Sequence, residues 1–356
     1  MDIIVSIVTT IVEQLQKPTL AFLIGGMVLA ALGSRLVIID PIYKFIVMLL
    51  LLKVGIGAGM SISEAELTAL IVPAIAAGIA GIVIVLAGAA IMTRMRGIPV
   101  ADAFATVGLF GAVSASTLAA AMAELEAAEI AYEGFIGALY PFMDLAALMT
   151  AIILGRVAMA RSSRVEMNAD GSATMSLGGG GGRDMLASID GNLLKTILTD
   201  TLRSPAISAL LLGLALGLFA KPEIVYESFY EPLFRGLLSL LMLIMGMEAW
   251  QRLSELRKVA HAYIAYGLLS PFVHGAIGFA AGLAAHHLTG FSAGGVVLMA
   301  VMAASSSDIS GPPTMRGALP EANPSAYVGT STGLGTPVAI LSIPLWMALA
   351  GVVIGF

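Results

Sequence analysis

The chain has 356 residues, 58% of them hydrophobic and 12% charged, with a mean hydropathy of +0.97 and a formal net charge of −5. Soluble domains carry about a quarter charged residues, so this composition belongs to a protein that lives in lipid. The absence of cysteine excludes disulfides, thiolate nucleophiles and Cys-ligated metals, and continuous rather than alternating apolar runs argue against a β-barrel.

In chain order, a short amphipathic stretch at 3–16, without the basic start of a cleavable signal, precedes apolar spans near 18–36, 41–60, 66–93, 99–123 and 130–159. Each approaches or exceeds the roughly 20 residues that cross a bilayer core. A segment at 161–190 follows, with five consecutive glycines from Gly178 to Gly182. No Gly-Lys-Ser/Thr follows them, so it reads as a flexible cytoplasmic linker and not a phosphate loop. A second amphipathic stretch at 190–203 leads into spans near 204–220, 227–249, 257–287, 291–315 and 325–354. The expectation is an all-α membrane protein of about ten transmembrane helices, with halves 1–160 and 191–356.

Charge orients these spans. With both termini outside, the five connections on the inner side and their flanks hold 14 of the 18 Lys and Arg residues, among them Lys44, Arg94, Arg96, Arg252 and Arg316. Acidic turns, Glu124 to Glu133 and Glu223 to Glu231, fall on the outer side. Lys53 and Arg235 lie in or near spans, where long side chains snorkel to an interface.

The two halves repeat each other. Pro18-Thr19-Leu20 through Gly59-Met60 matches Pro205-Ala206-Ile207 through Gly246-Met247 at an offset of 187, with Gly26 on Gly213 and Tyr43 on Tyr230. Ser114-Ala115-Ser116 matches Ser305-Ser306-Ser307 at 191; beyond an insertion, Tyr132 and Gly134 match Tyr327 and Gly329 at 195. Five spans per half is an odd number, so the halves are inverted, as in transporters whose sites lie at the midplane.

The strongest chemical signal is a polar interruption in the fourth and ninth spans. The first runs from Gly108 through Gly111, Ser114, Ala115 and Ser116 to Thr117; the second is Ser305-Ser306-Ser307-Asp308-Ile309-Ser310-Gly311-Pro312-Pro313-Thr314. Such sequences break the helix ladder, and lipid cannot satisfy the freed backbone groups. Pro312 or Pro313 suits the first turn of a new half-helix, with Asp308 or Ser310 as its cap. Two half-helices starting at mid-membrane aim amides and serine hydroxyls at one spot, the environment of a small oxyanion. No Lys or Arg lies in either break, so a weakly held monoanion fits better than phosphate or sulfate. Gly111, Ser114, Ala115, Ser116, Ser305, Ser306 and Ser307 are the expected anion site. An entering anion works against the membrane potential, by about 2.3 kcal/mol per 100 mV, and a co-transported sodium cancels that cost. Asp144, Asp308, Ser310 and Thr117, which takes the place of Asp308 in the first half, are the expected sodium ligands.

At these residues the chain resembles the cyanobacterial sodium-dependent bicarbonate transporters, the SbtA family. The likeness rests on Pro18 to Met27, Gly108 to Ser114, Ala138 to Asp144, Pro232 to Ser239, Met245 to Trp250 and Ala303 to Thr314. It implies sodium/bicarbonate symport in the plasma membrane as part of a carbon-concentrating system, a homotrimer, a core domain moving against a scaffold (gate) domain, and inhibition by a cytoplasmic PII-like trimer. No cofactor other than co-transported sodium and no nucleic-acid partner is expected. Carriage of another small monoanion, or an anion channel, remains open to the same residues. An intramembrane aspartyl protease using Asp144 and Asp308 is disfavoured, because the two acids do not occupy equivalent repeat positions. A serine hydrolase is disfavoured for want of a nucleophile elbow with a plausible histidine. His261, His274, His286 and His287 show no metal-ligand spacing.

Overall fold

The structure, a computed structural model, describes residues 18–36, 39–64, 67–169, 205–256 and 261–356, together with 199, 202 and 203. The amphipathic stretch at 3–16 and the glycine run lie outside these residues. Of the expected linker, 161–169 continues the preceding helix.

All regular structure among the described residues is helical. The first half holds α1 (Pro18–Ala31), α2 (Asp40–Glu64), α3 (Leu67–Met92), α4 (Val100–Gly111) and α5 (Ala115–Ala127). A 3-10 segment, Gly134–Leu139, then runs into α6 (Tyr140–Ala169). The second half holds α7 (Pro205–Phe219), a turn and π-helical stretch (Tyr226–Tyr230) leading into α8 (Glu231–Leu256), then α9 (His261–Thr289), α10 (Ala293–Ala304) and α11 (Gly311–Ala318). It ends with α12 (Pro324–Val328), a π segment Gly329–Gly335, α13 (Thr336–Leu341) and α14 (Ile343–Val353).

Six helical stretches among the described residues, one of them α4 and α5 taken together, are long and apolar enough to cross a membrane, and a seventh crossing results if the bent pair α12–α13 and α14 counts as one. Three shorter apolar helices, Ala21–Ala31, Ile207–Phe219 and Ala293–Ala304, stand where the first, sixth and ninth spans are expected. Membrane immersion also shows on the surface of α3. Ile71, Ile75, Ile79, Val83 and Leu86 are exposed at helical spacing, while Ala74, Ala77, Ala80 and Ile84 face inward. An apolar outer stripe over a small-residue inner face is the reverse of a soluble helix and fits lipid contact.

Helices pair where side chains are smallest. α1 packs on α8 and α2 on α7. A Cβ at Gly26 would run into the Leu243 carbonyl, and one at Gly246 into the Leu23 carbonyl, so these backbones touch. Lipid provides no hydrophobic drive between helices, and close van der Waals approach replaces it. Pro73 inside α3 and Pro271 inside α9 are accommodated as membrane helices allow.

The centre of the molecule is α4, α5 and α10. Residues 101–125 are all buried, as are 294–307. The two polar interruptions are therefore enclosed by other helices rather than by lipid. Lys53 departs from the snorkelling expectation. It is 5% exposed, with Nζ 3.7 Å from Glu126 Oε1 and 4.3 Å from the centroid of the Phe234 ring. The Tyr132 hydroxyl donates to the same Glu126 oxygen at 2.8 Å. A buried ammonium persists only with such partners.

Candidate ion site at the helix interruptions

The first interruption is three residues long. α4 stops at Gly111, Ala112 and Ser114 are extended, and α5 begins at Ala115. Ser114 caps the new helix, its Oγ accepting from the Thr117 N–H at 3.2 Å and from the Thr117 hydroxyl at 3.0 Å. The second is six residues long, from Ser305 to Ser310, before α11 starts with proline in its first turn, as expected. Its cap is a correction to the sequence reading. Ser310 sits at the cap position in helical conformation and makes no side-chain cap, and Ser307 Oγ accepts from the Gly311 N–H at 2.9 Å instead. A helical ψ at residue 310 turns its side chain away from the first-turn amides, leaving a serine one turn back to reach them.

The interruptions meet. The Ser114 N–H donates to Ser305 Oγ at 3.0 Å, and the Ser307 N–H donates to the Leu109 carbonyl at 2.8 Å. Asp144, fully buried on α6, spans both: Oδ1 accepts from the Val113 N–H and Oδ2 from the Ser310 hydroxyl, each at 3.1 Å. Ser306 Oγ lies 3.0 Å from Thr336 Oγ1. Backbone donors expected to be open are thus partly taken up by the protein itself, because a buried N–H needs a partner in the resting state.

Asp308 is the charged centre. Its Oδ2 accepts from the hydroxyls of Ser116 at 2.7 Å, Ser114 at 3.2 Å and Tyr43 at 3.4 Å. Its Oδ1 is buried with no hydrogen-bond partner. Asp308 lines a cavity of about 350 Å³ with Tyr43, Glu248, Pro312, Arg316 and Thr332, among others. Thr332 Oγ1 is likewise buried and unpartnered. A carboxylate oxygen and a hydroxyl oxygen left open beside one cavity are hard-cation ligands. No cluster of three His, Cys, Asp or Glu exists among the described residues.

The expected anion residues Gly111, Ser114, Ala115, Ser116, Ser305, Ser306 and Ser307 therefore fall together at the two interruptions, with Asp144, Asp308, Ser310 and Thr117 among them. The hydroxyls of Ser114 and Ser116 are shared with Asp308, so the two expected sets form one cluster. Sequence reasoning missed Tyr43 and Thr332. The Thr330-Ser331-Thr332 run, polar within an otherwise apolar last span, was the available signal.

The family model of the Na+-dependent bicarbonate transporter superfamily matches residues 18–351, both interruptions included. The chain belongs to that superfamily. No curated protein matches it. As a member of the superfamily, the protein is a multi-pass, sodium-dependent bicarbonate transporter and not an enzyme. The enzyme readings fall accordingly. The string Gly329-Thr330-Ser331-Thr332-Gly333 does carry the spelling of a hydrolase elbow, but it lies inside the π segment, with the Ser331 hydroxyl turned to the Val328 carbonyl at 3.4 Å. A working elbow needs a strand before it and a helix after it.

Proposed function

We propose that the protein is a symporter that imports bicarbonate together with sodium, both ions binding where the α4–α5 and α10–α11 interruptions meet. The observation that carries this is the bonded pair Ser114 N–H and Ser305 Oγ beside a half-satisfied Asp308. Bicarbonate inserts between them, one of its oxygens accepting from the Ser114 N–H and its own O–H donating to Ser305 Oγ, whose hydrogen stays on the Met302 carbonyl. Serine hydroxyls suit it because the anion has both a proton to donate and oxygens to accept. Sodium binds at Asp308 Oδ1 and Thr332 Oγ1, offsetting the carboxylate and cancelling the potential that opposes anion entry.

The reading includes a ten-span architecture of two inverted repeats, which the six long crossings, one bent pair and three shorter apolar helices among the described residues support. At the offset of 187, α1 corresponds to α7 and α2 to α8. The α1–α8 contact then maps onto the α7–α2 contact, as a pseudo-two-fold duplication requires. Ser114 and Ser305, equivalent at 191, are bonded to each other. The irregular segments starting at Gly134 and Gly329 are equivalent at 195. Arg316 lines the cavity with Tyr43, the neighbour of Lys44, and the basic connections these belong to support a cavity open to the cytoplasm with both termini outside. The resemblance to the SbtA family supports a plasma-membrane homotrimer in a carbon-concentrating system, elevator-like movement of a core against a scaffold, and inhibition by a PII-like trimer.

Purified protein in liposomes tests the coupling. Labelled bicarbonate should accumulate under an inward sodium gradient and not under an equal potassium gradient. Equal uptake with either cation overturns the symport.

A further inference from the structure

A second, chemically different cavity lies away from the ion site. Between α3 and α9 is a crevice of about 250 Å³ whose wall includes Gly88, Ile91, Met95, Tyr266, Ser270 and His274. Its rim residues Ile91, Leu269 and Val273 are exposed on the apolar outer surface, so it opens toward lipid.

Two side chains are out of keeping with this apolar setting. Ser270 and His274 are 5% and 3% exposed, yet Ser270 Oγ and His274 Nδ1 have no hydrogen-bond partner. The other ring nitrogen, Nε2, stands 3.5 Å from the Tyr266 hydroxyl, at the outer limit of a hydrogen bond. Unsatisfied polar atoms in a dry wall are costly, and two of them in one crevice call for an oxygen-bearing guest. No charged side chain among the described residues lines the crevice, which favours a neutral guest. Its volume falls just below the about 300–1,000 Å³ of sites that enclose a whole drug-sized ligand, so it takes one end of a longer molecule.

Depth narrows the class further. Met95 stands between Arg94 and Arg96 at the membrane boundary, whereas His274 lies midway along α9. A phospholipid headgroup cannot follow the crevice to that depth, but a neutral group dissolved in the hydrocarbon can. Tyr266 offers a flat wall there, set edge-to-face against Phe110 at 5.2 Å.

We infer that this crevice binds the oxygen-bearing end of a neutral, lipid-dissolved molecule, a carbonyl or hydroxyl on an apolar body, through Ser270 and His274. A quinone with an alkyl tail and a long-chain alcohol share this chemistry. Serine and a neutral imidazole each donate to a carbonyl or accept from a hydroxyl.

The test uses the full chain in phosphatidylcholine nanodiscs with two photoreactive probes, a decyl benzoquinone and a decanol, each carrying a diazirine in its alkyl chain. Saturable labelling of the 88–95 and 265–274 segments by either probe is expected, and which probe labels assigns a carbonyl or a hydroxyl guest. The double change Ser270→Ala and His274→Phe should cut labelling about tenfold. Because His274→Phe also touches the aromatic cluster, Ala87→Leu serves as a second variant that fills the wall and leaves both polar atoms in place; it too should abolish saturation. Labelling that rises linearly with probe, survives both variants, or is competed equally by dodecane overturns the inference.

Discussion

The two interruptions share a frame and differ in their chemistry. In the first, three residues separate the helices and the cap serine, Ser114, satisfies its own first turn. In the second, six residues intervene, the cap comes from Ser307, and the added length brings Asp308 against the hydroxyls of Ser114, Ser116 and Tyr43. Thr117, at the place equivalent to Asp308, only donates to Ser114. Serines stand at both helix stops, and an acid stands only in the second, where Thr117 is its counterpart in the first. A cluster neutral on one side and acidic on the other suits two ions of unlike sign better than two perfect copies would.

Asp308→Asn tests this difference most severely. It keeps the shape and removes the charge, and sodium-driven uptake should fall roughly 100-fold in initial-rate measurements. Unchanged sodium dependence would move the cation elsewhere. Ser305→Ala removes one of the two bonds offered to the anion and should raise the bicarbonate KM about tenfold, with sodium affinity largely kept. Thr332→Val should raise the sodium KM about fivefold; if the open hydroxyl binds no ion, the swap leaves uptake unchanged and raises thermal stability, because an unpartnered polar atom has been removed. The smallest effect belongs to Thr117→Val, less than about threefold, because the main-chain Thr117 N–H still reaches the Ser114 cap. A loss there as large as that of Asp308→Asn would make the two interruptions alike after all.

Much of this arrangement is readable from composition and spacing. Glycine, serine and proline at membrane depth mark where helices stop, and the matched serine clusters mark that the stops face each other. Partners distant in the chain are not readable in this way. Nothing in the residues around Asp144 says that one carboxylate oxygen takes Val113 and the other Ser310, since both bonds cross between helices. Tyr43 was noticed only as a repeat match, although its hydroxyl reaches Asp308 across 265 positions. The cap was misplaced for a local reason, because cap rules assume an extended residue before the helix and Ser310 is helical. The snorkelling rule sends Lys53 to an interface, and its partner Glu126, at an acidic turn far along the chain, is not visible from its own span.

The double attachment of Asp144 has a consequence for movement. One side chain anchored on α6 grips both helix stops, and the Ser307 to Leu109 bond laces them a second time. Neither stop can slide past the other without stranding a buried donor. Displacing one stop alone would break these bonds, so the two stops hold their places relative to each other and shift, where they shift, as a pair.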